Sequence, residues 1–100
     1  MSKTTTAEYF ADLVDKELEP SPWIEITQKR IDQFADATND HQFIHVDPEK
    51  AAQTPFGGPI AHGFLSLSLL SYLNAQSAIV PENLARGINY GSDKIRYLAP

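Results

Sequence analysis

Residues 61–78, AHGFLSLSLLSYLNAQSA, leave this chain fewer folding options than any other segment. The run has no Pro, and its one Gly, Gly63, falls in what would be a first helical turn. Leu65-Ser66-Leu67-Ser68-Leu69 alternates as a half-buried strand does, but the whole run is too long for an ordinary strand. Phe64, Leu67, Leu70 and Leu73 recur at three-residue spacing. One long helix is therefore expected, apolar on most sides and largely buried. Its small Ser and Ala side chains let it lie close against a sheet, so the fold must wrap something around this segment.

The strand on offer for that sheet is residues 86–98. Ile88 and Tyr90 share one parity, Ile95 and Tyr97 the other. A period-two strand changes parity only by an extra residue, so Gly91-Ser92 is expected to be a bulge or kink. Upstream, Trp23-Ile24-Glu25-Ile26 is a short extended piece after Pro20 and Pro22, with Trp23 expected in a core or an interface. One strand leaves its backbone groups unpaired. The sheet is therefore expected to be completed by other chains or by further residues, with the present chain truncated after the strand that follows the central helix.

Three further helices are expected. Residues 6–16 carry Phe10, Leu13 and Val14 at helical spacing. Residues 28–38 follow Thr27, a good N-cap, and place Ile31, Phe34, Ala35 and Thr38 on one face. Residues 48–53 begin with Pro48 behind Asp47 as N-cap. The stretch 39–47 is expected to be irregular, and Pro55, Gly57, Gly58 and Pro59 break the chain before the long helix. The layout is a lead-in over 1–26, a helix and catalytic loop over 27–60, the central helix over 61–80 and the strand over 86–98.

Composition excludes several classes. Eight Lys and Arg against thirteen Asp and Glu give a net charge of −5, which argues against a nucleic-acid module. With no cysteine, disulfides, thiolate metal sites and thiol nucleophiles are unavailable. There is no export signal at the N-terminus and no apolar run long enough to span a bilayer, so a soluble cytoplasmic protein without membrane or nucleic-acid partners is expected. The chemistry open to the chain belongs to His, carboxylates, hydroxyls and Lys.

Two clusters carry that chemistry. Asn39-Asp40-His41-Gln42-Phe43-Ile44-His45-Val46-Asp47 concentrates imidazoles, carboxylates and amides between helices, where binding groups tend to sit. In a turn, Asp40 and His45 can converge on one small atom, a carboxylate accepting a proton and an imidazole holding or returning one. The same residue types also cap helices and make turns. The second cluster, Gly57-Gly58-Pro59-Ile60-Ala61-His62-Gly63-Phe64, ends at a helix start. There the Gly63 N–H is free to meet a ligand oxygen, although glycines also serve turns and close packing.

Taken together, FADATNDHQFIHVDPEKAAQTPFGGPIAHGF over residues 34–64 resembles the MaoC-like dehydratase family, which includes R-specific enoyl-CoA hydratases. The family signature, G-D-x-N-P-[IL]-H followed by A-H-G, finds its acid at Asp40, its histidine at His45 and its second part at Ala61-His62-Gly63. GINYGSDKIRYLAP over residues 87–100 resembles the strand that follows the family's central helix. The signature Gly, Asn and Pro are here Asn39, Gln42 and Phe43. That form is closer to the nodulation protein N-like branch, and the changes bear on substrate preference.

The resemblance implies an α+β hot-dog fold, a long helix wrapped by a curved antiparallel sheet, assembled as a homodimer. It implies hydration of a trans-2-enoyl-CoA to an R-3-hydroxyacyl-CoA, or the reverse. Asp40 and His45 would hold the water, Gly63 N–H would polarise the thioester carbonyl, and Gln42, Ala61 and His62 would contact substrate. No metal and no cofactor beyond the coenzyme A thioester is called for. The isolated 100-residue chain is expected to be poorly stable and inactive. Two alternatives stay open: a metal site drawing on His41, His45 and Asp47 or His62, and a non-catalytic subunit that binds acyl-CoA or a partner. Tyr72, Tyr90 and Tyr97 are candidates for an acyl channel, and Arg96 for a coenzyme phosphate or an acid across an interface.

Overall fold

A computed structural model describes residues 3–77, 79–81, 83 and 85–100. In chain order the elements are β1 (Lys3–Thr5), α1 (Ala7–Ala11), α2 (Gln28–Thr38), α3 (Phe43–Val46), α4 (Pro48–Ala51), α5 (Gly63–Ser68), α6 (Leu70–Ser77) and β2 (Ile79–Pro81). They fall into two compact units, Met1–Trp23 with Leu70–Ile95, and Ile24–Leu69 with Arg96–Pro100. No helix among the described residues is long and apolar enough to cross a membrane.

In the first unit, β1 and β2 pair in parallel, with Lys3 opposite Ile79 and Thr5 opposite Pro81. The α1 helix starts where the Thr6 hydroxyl accepts the Tyr9 N–H at 3.2 Å. It ends at Ala11 rather than reaching Lys16. Two features end it early: Asp15 adopts a left-handed φ of 62°, and Val14, 69% exposed, finds nothing to pack on. Trp23, expected in a core or interface, is fully exposed.

Residues 86–98 do not form the expected strand. The chain from 85 to 100 has neither helix nor strand, only a bend at Asp93. A strand is defined by a ladder. Among the described residues no ladder partner is seen for this segment, and without a ladder the parity change at Gly91-Ser92 needs no bulge. The curved antiparallel sheet is thus not seen among the described residues.

The second unit is built on α2. The Thr27 hydroxyl accepts the Arg30 N–H at 3.1 Å, as expected of a threonine N-cap. Ile31 and Ala35 turn inward and are buried, while Lys29, Asp32 and Asp36 are exposed. Thr38, placed on the same face by its spacing, is exposed and turns its hydroxyl back to the Phe34 carbonyl at 2.8 Å. Asn39 ends the helix in the left-handed region, φ 61°, which Asn tolerates better than most residues.

The expected irregular stretch 39–47 contains a single helical turn, α3, with the His45 N–H on the Gln42 carbonyl at 3.0 Å. The α4 helix starts as expected at Pro48, with Asp47 Oδ1 accepting the Lys50 N–H at 3.1 Å. It ends at Ala51, two residues before Gln53, in successive turns.

The long central helix is interrupted. The α5 helix spans Gly63–Ser68, and α6 resumes at Leu70 and stops at Ser77. Ala61 and His62 precede the first turn rather than forming it, and Ala78 lies outside the described residues. Ser68 Oγ donates to the Phe64 carbonyl at 2.6 Å, a back-bond that bends helices. Burial is also far less than expected: Leu65 is inside, but Phe64, Leu70 and Tyr72 are at least half exposed. Among the described residues, the apolar sides of the run are left largely uncovered at Phe64, Leu70 and Tyr72.

Candidate active site

The buried set of the second unit is small, and two of its members are imidazoles. Ile31, Ala35, Ala51 and Leu65 are joined by His45, 7% exposed, and His62, 3% exposed. Buried polar rings need partners, and both have them. His45 Nδ1 lies 2.8 Å from the Ile60 carbonyl, and His62 Nε2 lies 3.0 Å from the Asp40 carbonyl. A carbonyl only accepts, so each nitrogen carries the hydrogen and donates. In the neutral rings this leaves Nε2 of His45 and Nδ1 of His62 as acceptors. The latter is buried without a hydrogen-bond partner.

The surrounding chain sets this geometry. Asp40 follows the left-handed Asn39, its N–H on the Ala35 carbonyl at 3.2 Å, and its carboxylate accepts the Gln42 N–H at 3.4 Å. The chain returns after α4 through a turn at Gly57, φ 76°, and the Ile60 N–H donates to the Ile44 carbonyl at 2.9 Å. The Ile60 peptide thus clamps α3 from both its ends. From α2, Gln28 Nε2 donates to the His45 carbonyl at 2.8 Å and to Asp32 at 2.9 Å. The two imidazoles stack, centroids 3.8 Å apart and planes 22° apart, and Phe34 packs on His62 at 4.9 Å.

Asp40, His45 and His62 each bring a donor atom to within 4.8 Å of the others. Three groups hydrogen-bonded to one water at tetrahedral angles would stand about 4.6 Å apart. Around zinc they would stand about 3.4 Å apart. Separations of up to 4.8 Å leave room for a water between the three groups and could contract around an ion. The other expected metal ligands are engaged elsewhere: His41 pairs with Asp36 at 2.8 Å on the surface, and Asp47 caps α4.

Beside the cluster is an open cavity of 460 Å³, lined by His45, Ile60, Ala61, Gly63, Ser66 and Tyr97 among others. Gly63 opens α5 as expected, so its N–H has no helical acceptor. The Tyr97 ring lies so close that a side chain on Gly63 would meet it at 3.0 Å. Ala61 lines the cavity, whereas Asp40, Gln42 and His62 do not. Gln42 is exposed and begins α3 without capping it by its side chain. Of the tyrosines, Tyr97 lines the cavity, and Tyr72 and Tyr90 are exposed in the first unit. Arg96 is exposed. Sequence reasoning did not reach Gln28 or Phe34, because their contacts with the site cross 17 and 28 residues of chain.

Comparison with known proteins agrees with the sequence signature. The MaoC-like domain profile matches residues 9–100. The chain is 54% identical over 91 residues to nodulation protein N of Rhizobium meliloti, covering 90% of this chain and 56% of that protein. It is 49% identical over 98 residues to 3-hydroxyacyl-thioester dehydratase Z of Mycobacterium tuberculosis, covering 95% and 64%. A shorter match, 43% over 47 residues, covers 47% of this chain and 30% of the 3-hydroxybutyryl-CoA dehydratase of Methylorubrum extorquens. The chain thus spans a little over half the length of the nodulation protein. On the profile match and these identities, it belongs to the MaoC-like dehydratase family.

Proposed function

We propose that the chain carries the water-activating half of a hydro-lyase acting on acyl thioesters, which adds water to a trans-2-enoyl-CoA to give an R-3-hydroxyacyl-CoA and runs the reverse dehydration. The observation that carries the reading is the buried His45, whose Nδ1 is engaged by the Ile60 carbonyl and whose Nε2 is left to accept. With the Asp40 carboxylate close by, we assign to that atom the holding of a water.

In this mechanism Asp40 and His45 orient one water. Its oxygen attacks C3 while one of the pair takes a proton, and a proton is returned to C2, so that one H and one OH are added across the double bond. Negative charge grows on the thioester oxygen as C3 is attacked. The Gly63 N–H, beside His45 in the cavity wall, is placed to meet it at little reorganisation cost. Ala61 contributes apolar wall, and Gln42 borders the substrate from the loop. No cofactor beyond the thioester itself is needed, and a pair of hot-dog domains is the assembly this reading calls for.

The test is turnover of crotonyl-CoA by the full-length protein. Asp40→Asn and His45→Ala are each expected to lower kcat by roughly 10²–10⁴. Wild-type turnover in either variant sinks the dyad, and absence of turnover in the unaltered protein, with crotonyl-CoA still bound, would favour an acyl-thioester-binding subunit.

A further inference from the structure

We propose that His62 is a positioning residue that holds Asp40 and His45 in one geometry. This rests on the Asp40/His45 reading above. His62 is 3% exposed and, like Asp40, is not part of the cavity wall that includes its neighbours Ala61 and Gly63. Its Nε2 and its ring are engaged by the site, while its Nδ1 is buried without a hydrogen-bond partner. Nε2–H donates to the Asp40 carbonyl across 22 residues of chain, which pins the main chain that carries the carboxylate. One ring face lies on His45 at 3.8 Å, nearly parallel, and Phe34 packs against the ring at 4.9 Å.

These contacts divide the work of orienting His45. The Ile60 carbonyl fixes how its ring is turned about its own axis, through Nδ1. The stacked His62 fixes the plane in which the ring lies. Asp40 is referred to the same imidazole by its carbonyl. The acid and the base of the reaction, carried on different elements, therefore share one rigid reference. A misplacement of about 1 Å at a reacting group can cost ~10²-fold in rate, so loss of the reference should be read in turnover and not in substrate affinity.

In the full-length protein, His62→Phe keeps a stacking ring and loses the donor; His62→Gln keeps a donor and loses the ring. Each is expected to lower kcat with crotonyl-CoA by about ten- to a hundredfold and to leave KM within about twofold, since only interactions made in the transition state are weakened. In an Asp40→Asn background His62→Phe, which keeps the stack on His45 and loses the bond to Asp40, should cost much less, because that bond acts through Asp40. Wild-type kcat in both variants beside inactive Asp40→Asn and His45→Ala overturns the positioning role and leaves the dyad standing. Full additivity of His62→Phe with Asp40→Asn does the same. Wild-type turnover in the dyad variants overturns the dyad, and the positioning role with it. Should the His62 variants fail to fold, imidazole nitrogen shifts of the unaltered protein decide instead. A proton on Nε2 of His62 is expected, and one on Nδ1 alone overturns the proposal.

Discussion

At the scale of single residues, the site depends on two positions where close approach leaves no spare volume. One is the stacked pair His45 and His62. The other is Gly63, whose missing side chain admits the Tyr97 ring. A methyl there would stand 3.0–3.1 Å from three ring atoms, closer than carbon atoms pack at their optimum. Gly63→Ala is therefore expected to destabilise the second unit by about 1–3 kcal/mol, the usual cost of overpacking. The sign depends on the neighbour, so the same change in a Tyr97→Ala background should cost nearly nothing. Urea midpoints of the four proteins of that cycle measure it, and an equal penalty in both backgrounds would show that the ring is not the obstacle. The motif singles out Asp40, His45 and Gly63 by residue type and order, and the fold brings Asp40 and His45 together with His62. What His62 and Gln28 do was not legible in the sequence, because a ring stack and a 17-residue hydrogen bond leave no trace in local spacing.

Elements whose limits are set by their own side chains were read well, and those that depend on a partner surface were not. Thr27 and Asp47 cap the helices they precede, accepting the N–H of the third residue on at 3.1 Å in each case. Such contacts span one turn, and Thr and Asp are selected for them by reach alone. Replacing either cap by Ala is expected to cost about 0.5–2 kcal/mol, read as a lower thermal midpoint with little change in the circular dichroism of the folded state. Asp47→Ala bears on the site as well, since α4 immediately follows the turn that holds His45. The expected strand over 86–98 and the unbroken helix over 61–80 fail together for one reason. Each was inferred from an apolar pattern, which states what a segment would bury if covered. The broken helix leaves Phe64 70% and Leu70 50% exposed, and the would-be strand leaves Tyr90 fully so, so the cover that the pattern anticipates is not supplied by the described residues.

At the scale of the whole molecule, the residues seen to be buried, among those whose side chains are described, all lie in Ile24–Leu69. The family signature and the core are thus the same stretch of chain: Ile31 and Ala35 on α2, His45 on α3, Ala51 on α4, and His62 and Leu65 at the start of α5. Local opening costs least where few apolar side chains are buried and backbone groups face water. Native-state hydrogen exchange of the 100-residue chain is therefore expected to be uneven. The amides of Ile31, His45, Ile60 and Leu65, each with a backbone acceptor at 2.9–3.1 Å in the second unit, should exchange slowest and as a group. Those of residues 85–95, exposed and in neither helix nor strand, should exchange at nearly the rate of an unstructured peptide. Equal protection in the two units would mean that stability is shared and that the site is not the most stable part of the chain. The predicted contrast would mean that the imidazole pair sits in the part that opens last, as a site built on preset ring and carbonyl positions requires.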